Sequence, residues 1–492
     1  MTKTTLGKIA CVVAACCVAT AVASPAQTVA TIASFNGTNG QDPKYGPLVQ
    51  GLNGNYYGTT LYGGGHENGN VFEISAAGKV TNLHSFCATK GCPDGATPTV
   101  GLLLAPNGRL YGTTSGGGAH GAGTVFEIVP GGEFTTLYSF CSAANCADGV
   151  GPNRLVLGSN GNFYGTSYNG GANNYGTVFE ITPAGELTTL YNFCSKFNSK
   201  TGICLDGAYP ALPLILGTDG NFYGITTAGG SNNCRPAEEA YGCGMFFRVT
   251  PAGKLSAFAL FTSSNGWYPN SLLQGADGNF YGTTLYGGPS NPTNCTDGCG
   301  TAFQITPSGA INTLYNFCSE VSCTDGAGPM SLMQATDGNL YGTAGGGSEE
   351  QGVIFQLTTG GSLNTVYDFC ETCGGFVAYG TLLQATNGNF YGTTFEGFNQ
   401  YTNGTVYSLS MGLSPFVQAN PTFGKVGYTI DILGNNLTGA TGVTFNGTPT
   451  TFTVVSPSLI KAAVPSGATA GTIEVTTPSG TLSSNVAFQV LP

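Results

Sequence analysis

Four aspartates share one local setting and are candidate ligands for a cation. Each lies two residues after a cysteine and is followed by glycine; they are Asp94, Asp148, Asp206 and Asp325. Calcium binds carboxylate oxygens, so a ring of these side chains could attract calcium, although no cofactor is assigned. The alternative is structural, because an aspartate in a turn also accepts hydrogen bonds from the backbone. The turn is the favoured interpretation, and both stay open at this point.

The chain has one tryptophan, Trp267, in the segment SSNGWYP at 263–269. A flat aromatic ring in a loop can stack on a sugar ring. The competing explanation is that the indole ring packs where a disulfide is missing, because this loop has no cysteine pair whereas the comparable loops of the chain do. Trp267 and the four aspartates are the candidate ligand-binding residues, and no metal site and no catalytic residue is assigned.

Patterns typical of catalysis are absent from the sequence. The chain contains seven repeated units, which are described below. One strand position that recurs in these units carries glutamate in some of them but not in others: Glu73, Glu127, Glu180, Arg248, Gln304, Gln356 and Ser408. The position is polar without being chemically fixed. No G-x-S-x-G elbow precedes a helical pattern, and the three histidines do not recur with the repeats. The sequence therefore favours a protein without catalytic activity.

Cysteine spacing predicts disulfides. Of 17 cysteines, 14 form close neighbours: Cys87–Cys92, Cys141–Cys146, Cys194–Cys204, Cys234–Cys243, Cys295–Cys299, Cys318–Cys323 and Cys370–Cys373. Local pairs in an even number are typical of exported proteins. The C-x2-C of the last pair has no second C-x2-C or histidine pair, so zinc is not expected.

Residues 1–23 have the pattern of a secretory signal peptide. Lys3 and Lys8 precede or begin an apolar run, and Ala21-Val22-Ala23 fits a small-residue cleavage site. The alternative is a lipid anchor at Cys16. No later run of about 20 apolar residues predicts a membrane span, so we expect a secreted or cell-surface protein. The net charge of -11 and the 14 scattered Lys and Arg exclude a basic nucleic-acid-binding surface.

Seven copies of a motif ending in Tyr-Gly, such as DGNFYGTT at 277–284, divide most of the chain into units. Their tyrosines are Tyr57, Tyr111, Tyr164, Tyr223, Tyr281, Tyr341 and Tyr391. Each unit has four strand signals, a to d, with Asn-Gly or Asp-Gly between a and b. Strand a carries only Gly or Ala two residues before this turn, which predicts crowding near a central axis. Units of about 50 residues with four strands are typical of β-propeller blades.

The two ends of the repeat region complement each other. Residues 28–35, TVATIASF, have the pattern of a strand d, whereas the seventh unit ends with a strand c at 404–410. We therefore expect an all-β fold, with a seven-bladed β-propeller over 24–411 whose N-terminal strand closes the last blade. In this topology the predicted disulfides lie on the face opposite the a–b turns.

Residues 412–492 have short alternating strands and resemble the IPT/TIG family, an immunoglobulin-like β-sandwich. The matching stretches are ILGNNL at 432–437, VTFNG at 443–447 and VTTPSG at 475–480. The repeats resemble the bacterial GloVer tandem-repeat family, through GTVFE at 123–127 and 176–180 and YGTT at 111–114 and 281–284. The resemblances imply an exported protein with an accessory or adhesive module, and they imply no reaction.

Together these features predict an exported, non-catalytic binding or scaffold protein at the cell surface or on extracellular polymers, with carbohydrate or protein ligands. The alternative is a polysaccharide-active hydrolase or lyase with its site on the disulfide-bearing face. Extracellular polysaccharide or a surface protein is the expected partner, and nucleic acid is not.

Overall fold

The computed structural model describes residues 27–43, 46–231, 233–234, 242–289, 295–370, 380–395 and 403–492. The predicted signal segment 1–23, Cys16 and Cys373 lie outside these ranges. The described part is all-β, as predicted. Its helices are two short 3-10 turns, Ala144–Cys146 and Val321–Cys323, and no helix there is long and apolar enough to cross a membrane.

The repeats form seven antiparallel sheets, named sheets 1 to 7 in chain order, with strands a to d. Sheet 1 contains Val49–Gln50, Tyr56–Thr60, Asn70–Ile74 and Val80–Ser85. Sheet 2 contains Leu103–Leu104, Leu110–Thr114, Thr124–Ile128 and Phe134–Ser139. Sheet 3 contains Val150–Pro152 with Val156–Leu157 as strand a, then Phe163–Asn169, Thr177–Ile181 and Leu187–Asn192.

The later sheets follow the same order. Sheet 4 contains Ile215–Leu216, Phe222–Thr226, Met245–Val249 and Leu255–Leu260. Sheet 5 contains Trp267–Gln274, Phe280–Tyr286, Thr301–Ile305 and Ile311–Asn316. Sheet 6 contains Ala327–Gln334, Leu340–Gly345, Val353–Leu357 and Leu363–Asp368. Sheet 7 contains Leu383–Gln384, Phe390–Thr394 and Thr405–Ser410, and its fourth strand is the N-terminal Thr28–Ser34. A small hairpin, Phe197–Asn198 with Ile203–Cys204, follows sheet 3.

The glycines of the repeated motif make room for aromatic rings inside each sheet. A Cβ on Gly58 would lie 2.6 Å from Cζ of Phe72, its partner on strand c. The small residue of strand a has a similar cause, because a Cβ on Gly275 would lie 2.7 Å from Cε2 of Tyr281. The tyrosine ring of the same sheet, rather than crowding at a central axis, therefore accounts for glycine at that position.

The hydroxyl of the repeated tyrosine donates to a carboxylate in five of the seven sheets; in sheet 2, Glu127 instead pairs with Arg109. Where the a–b turn begins with asparagine, the acceptor comes from strand c: Tyr164 donates to Glu180 over 2.9 Å. Where the turn begins with aspartate, that aspartate accepts, as Asp277 does from Tyr281 over 2.7 Å. Sheet 7 has no carboxylate at either position, and Asn387 donates to its tyrosine instead.

Seven apolar clusters lie between the sheets, and their order is cyclic. In all seven, the repeated tyrosine of one sheet packs with the strand c aromatic of the next. Six of the clusters join sheets 1–2, 2–3, 3–4, 4–5, 5–6 and 6–7. The seventh joins sheet 7 to sheet 1, where the rings of Tyr56 and Tyr391 lie 4.3 Å apart. First strands of neighbouring sheets contact one another, so strands a lie toward the centre.

The C-terminal residues form a sandwich with its own apolar core. One sheet has the order Gln418–Asn420, Thr429–Leu433, Leu459–Ala463, Phe452–Ser456, and the other has the order Thr448–Pro449, Gly442–Phe445, Ile473–Thr477, Gly480–Ser483. A parallel pair, Phe423–Lys425 with Gln489–Leu491, completes it.

The sandwich touches the repeat region at its a–b turns. Ser458 donates to the carbonyl of Leu52 over 3.0 Å, and the amide of Phe416 donates to the carbonyl of Thr386 over 3.0 Å. These contacts involve sheets 1 and 7. The sandwich therefore covers part of the face that carries the repeated motif, and the opposite face carries the long loops.

Candidate functional site

The loops that follow strand d are closed by a carboxylate. Asp148 is typical: Oδ2 accepts from Tyr138 Oη over 2.8 Å and from the Ser142 amide over 3.0 Å, and Oδ1 accepts from the Ala143 amide over 3.2 Å. Asp206 and Asp325 make the same set of contacts. These side chains connect the end of each loop to its beginning.

Six of the seven predicted disulfides are present in the structure. Four close loops after strand d, namely Cys87–Cys92, Cys141–Cys146, Cys194–Cys204 and Cys318–Cys323. Two lie between strands b and c, namely Cys234–Cys243 and Cys295–Cys299. The Cys370–Cys373 pair includes Cys373, which lies outside the described residues. Where a loop has no cysteine pair, asparagine replaces aspartate, and Asn265 Oδ1 accepts from the Thr262 amide over 2.7 Å.

The predicted cation ligands are thus placed in four separate loops. Asp148, Asp206 and Asp325 are at most 5 % exposed. Burial raises the pKa of Asp206, but hydrogen bonds from Ser195, Tyr191 and the Lys196 amide outweigh it and leave the pKa below its usual range. Asp94 lies 2.9 Å from His84 Nε2. In the described ranges, no three acidic side chains come within 4.8 Å of one another, so the loops engage these carboxylates one at a time.

Six of the loops that lead into strand a then pass through a residue in the left-handed conformation that precedes proline. Six residues have φ values between 53° and 65°: Asp42, Thr97, Gly151, Tyr209, Tyr268 and Gly328. This left-handed conformation is unfavourable for residues with a side chain, and such strain tends to persist at functional positions. The proline packs closely on the preceding sheet; a Cβ on Gly176 would lie 2.6 Å from Cδ of Pro210. One backbone conformation thus presents different side chains from sheet to sheet.

In sheets 3 to 5 these side chains and their neighbours form a row of aromatic rings. We call this set the tyrosine row: Tyr168, Tyr175, Tyr209, Trp267, Tyr268 and Tyr286. The ring of Tyr209 stacks 5.3 Å from Tyr168 and lies 5.4 Å from Tyr175. Tyr286 stacks 4.5 Å from Trp267 and lies edge-on to Tyr268 at 6.2 Å.

The two halves of the row come from sheets 3 and 5, and their phenols influence one another electrostatically. Burial raises the pKa of Tyr268, and the nearby phenols of Tyr168 and Tyr286 raise it further. Tyr168 comes from strand b of sheet 3 and Tyr268 from strand a of sheet 5, so the two phenols belong to sheets that are not consecutive. Tyr168 is 36 % exposed and Tyr268 is 39 % exposed, which leaves aromatic surface available to a ligand.

Two disulfides contribute cysteines to the apolar clusters in which residues of the tyrosine row pack. Tyr175 and Tyr209 pack against the cluster that contains Cys194 and Cys204. On the other side, Trp267 belongs to the cluster that contains Cys243. These bridges therefore hold aromatic rings in place as well as closing loops.

Trp267 has a different position from the one expected. It begins strand a of sheet 5 instead of lying in a loop, and it is 7 % exposed. The Trp267 indole packs against Tyr286, and the partly exposed aromatic ring next to it in the chain is that of Tyr268. The tyrosines were not among the predicted residues, although the recurring pattern Asp/Asn-Gly-x-x-Pro, with a variable residue before proline, was a usable signal.

A second concave feature lies between strands d of sheets 5 and 6. It is a groove of about 380 Å³ lined by Tyr315, Glu320, Thr324, Asp325, Leu363, Asn364, Thr365 and Asp368. Asp325 is engaged in loop closure, and Asp368 accepts from the Ser348 amide over 3.0 Å. The groove therefore combines two engaged carboxylates with that of Glu320.

Family models match nearly the whole chain. The Gloeobacter/Verrucomicrobia repeat matches residues 19–147, 89–235 and 235–451, and the IPT/TIG domain matches residues 416–490. No curated protein matches the chain.

Several solved structures are similar in fold. Virginiamycin B lyase from Staphylococcus aureus is 15 % identical with a TM-score of 0.49, over 78 % of this chain and 99 % of that one. The extracellular domain assigned to a hybrid two component system of B. thetaiotaomicron is 10 % identical with a TM-score of 0.50, over 95 % and 60 %. A gluconolactonase from Xanthomonas campestris is 14 % identical with a TM-score of 0.39, over 78 % and 98 %. These identities inform on the fold alone, which is propeller-like.

Proposed function

The chain belongs to the Gloeobacter/Verrucomicrobia repeat family, and we propose that it is an exported, non-catalytic binding protein whose tyrosine row stacks on the sugar rings of an extracellular polysaccharide. The observation that carries this proposal is the tyrosine row itself. Tyr168 and Tyr268 are partly exposed, Tyr268 has a left-handed backbone conformation, and two disulfides lie in the clusters that pack against the row. Tyrosine offers a large, rigid contact area with little loss of conformational entropy on binding.

The proposed architecture is a seven-bladed propeller in which the N-terminal strand completes the last blade. Its support is the cyclic order of the seven apolar clusters and the pairing of Thr28–Ser34 with Thr405–Ser410. A ring of short sheets leaves only short, protected sheet edges, which suits a protein working outside the cell.

Export by a signal peptide at residues 1–23 is part of the same proposal. It is supported by the disulfides, which are typical of oxidising compartments. A lipid anchor at Cys16 is the alternative mode of retention at the cell surface.

A glycan array with the mature chain tests the binding role. We expect selective binding to a subset of polysaccharides by the unmodified protein, and at least tenfold weaker binding by Tyr168→Ala/Tyr268→Ala. Tyr428→Ala is the control, because Tyr428 is 61 % exposed but lies in the C-terminal sandwich. A blank array, or equal binding by the double variant, would refute the proposal.

The second candidate is a polysaccharide hydrolase or lyase, and the groove between sheets 5 and 6 is the observation that favours it. Glu320, Asp325 and Asp368 line one cavity, and paired carboxylates carry out glycoside hydrolysis. Release of soluble sugar from a polysaccharide panel, lost in Glu320→Gln and Asp368→Asn but kept in Tyr168→Ala, would establish this activity. Absence of release across the panel would eliminate it.

A further inference from the structure

Arg154 is a cationic side chain without a partner in the middle of the repeat region. It lies between the two pieces of strand a in sheet 3. Its Nε has no accessible surface and no hydrogen-bond partner, although the residue as a whole is half-buried. Within the part of the chain that the structure describes, no carboxylate forms an ion pair with it.

The equivalent position is small in every other sheet. Counting four residues back from the Gly or Ala of strand a gives Pro47, Gly101, Pro213, Ser271, Ser331 and Thr381. Arg154 is therefore a long, cationic side chain at a position where the inner strands of the other six sheets carry small side chains. Packing alone does not explain an arginine there, since the other six sheets are built without one.

The polar groups beside Arg154 are already engaged with one another. Asn153 donates through Nδ2 to Thr166 Oγ1 over 2.9 Å and to the Pro210 carbonyl over 2.7 Å. Thr166 in turn lies 3.2 Å from the carbonyl of Leu212, to which it donates. The polar side chains of Asn153 and Thr166 therefore have hydrogen-bond partners without the Arg154 guanidinium.

An arginine in this setting carries an uncompensated charge. Burial lowers the pKa of Arg154, and no acidic group contributes to the shift. A guanidinium nevertheless stays protonated at neutral pH. A guanidinium whose Nε is shielded from water and has no partner costs free energy unless a counter-ion with hydrogen-bond acceptors meets it.

We propose that Arg154 is the binding residue of an oxyanion site between the inner strands, for a carboxylate or phosphate group. A guanidinium binds either group through two parallel hydrogen bonds. Gly151, three residues before Arg154, lies beside the tyrosine row, because a Cβ there would be 3.9 Å from the Cβ of Tyr168. The inference does not depend on the proposed function, because an anion can bind here whether or not the row binds a polysaccharide.

The test is the melting temperature of the mature chain in sodium galacturonate, in sodium phosphate and in sodium chloride at matched ionic strength. We expect a rise of at least about 2 °C in one of the two oxyanions relative to chloride, because a ligand stabilises the state that binds it. The two arms distinguish a sugar carboxylate from phosphate, and neutral galactose controls for ring stacking.

Arg154→Met should lose this rise and, in chloride, should melt no lower than the unmodified chain. Arg154→Lys should keep the charge but bind at least about tenfold more weakly, since it lacks the paired donors. Arg109→Met is the matched control, because Arg109 already pairs with Glu127 over 2.8 Å; its response to the anion should be unchanged. No rise in either oxyanion, an equal rise in Arg154→Met, or a lower melting temperature of that variant in chloride would overturn the proposal.

Discussion

At the scale of single residues, the tyrosine hydroxyl of the repeated motif explains why the turn residue alternates between asparagine and aspartate. The turn supplies the carboxylate in sheets 4 to 6, through Asp219, Asp277 and Asp337. Strand c supplies it in sheets 1 and 3, through Glu73 and Glu180. The two positions compensate each other, so the repeat is conserved in chemistry while it varies in sequence.

This compensation predicts a double-mutant effect in sheet 5. Asp277→Asn removes the acceptor of the Tyr281 hydroxyl and should lower the free energy of unfolding by about 1 kcal/mol. Gln304→Glu alone places a second carboxylate beside Asp277 and should also destabilise. The pair Asp277→Asn/Gln304→Glu reproduces the arrangement of sheet 3 and should restore most of the loss. Urea unfolding of the unmodified chain, the two single variants and the double variant measures this compensation. Strictly additive changes in the free energy of unfolding would contradict it.

The same hydroxyls predict how stability depends on pH. Burial, then hydrogen bonding to a carboxylate, raises the pKa of Tyr164 and of Tyr191 to about 12, from an ordinary value of 10.0. The folded state favours the neutral phenol, so this stabilisation is complete below pH 10 and is lost as the pH rises toward 12. The pKa of Asp206 is lowered, so its stabilisation is present above about pH 4 and is lost on acidification.

Unfolding experiments between pH 3 and pH 12, combined with absorbance of tyrosinate, check both limits. Tyr191→Phe should reduce the loss of stability between pH 10 and 12. Unchanged alkaline behaviour in that variant would show that Tyr191 does not contribute.

At the scale of elements, local patterns in the sequence predicted the strands and most loop closures. The disulfides were predictable because their cysteines are 4 to 10 residues apart, and the strands because Tyr-Gly-Thr and Asn-Gly or Asp-Gly recur. The tyrosine row was not predictable in this way. Tyr168 and Tyr268 meet through the relative placement of sheets 3 and 5, which short-range patterns do not encode.

The disulfide behind the row should affect both stability and binding. Cys194→Ser/Cys204→Ser releases a long loop and should lower the free energy of unfolding by about 3 kcal/mol in the chain-entropy model. Because Tyr175 and Tyr209 pack on this bridge, polysaccharide binding should also weaken. The matched control is Cys87→Ser/Cys92→Ser, a shorter loop outside the row, which should cost about 2 kcal/mol and leave binding unchanged. Equal binding losses in both variants would contradict a local role.

At the scale of the whole molecule, closure by the N-terminal strand is the feature that unites the sheets. Removing residues 28–34 would expose the edge of Thr405–Ser410 and uncover the cluster that contains Ala33 and Phe35. We expect lower stability and self-association through the free edge. Light scattering and urea unfolding measure this, and an added peptide of residues 27–36 should restore the monomer, whereas a scrambled peptide should not. Unchanged stability after the deletion would contradict closure.

The C-terminal sandwich lies against one of the two faces of the repeat region. Its contacts with Leu52 and Thr386 lie at a–b turns, which leaves the loop face and its tyrosine row free. The repeated motif that first suggests a site therefore belongs to the scaffold and its attachment, and the variable loops carry the proposed binding surface.

The most direct test of this account is a titration of the mature chain with polysaccharide fragments, followed by tryptophan fluorescence. Trp267 is the only tryptophan, and its ring lies 4.5 Å from Tyr286 inside the row, so the emission reports this site alone. The account predicts a saturable change for at least one fragment, lost in Tyr168→Ala/Tyr268→Ala and kept in Tyr428→Ala. An unchanged emission despite measured binding, or the same change in the double variant, would contradict it.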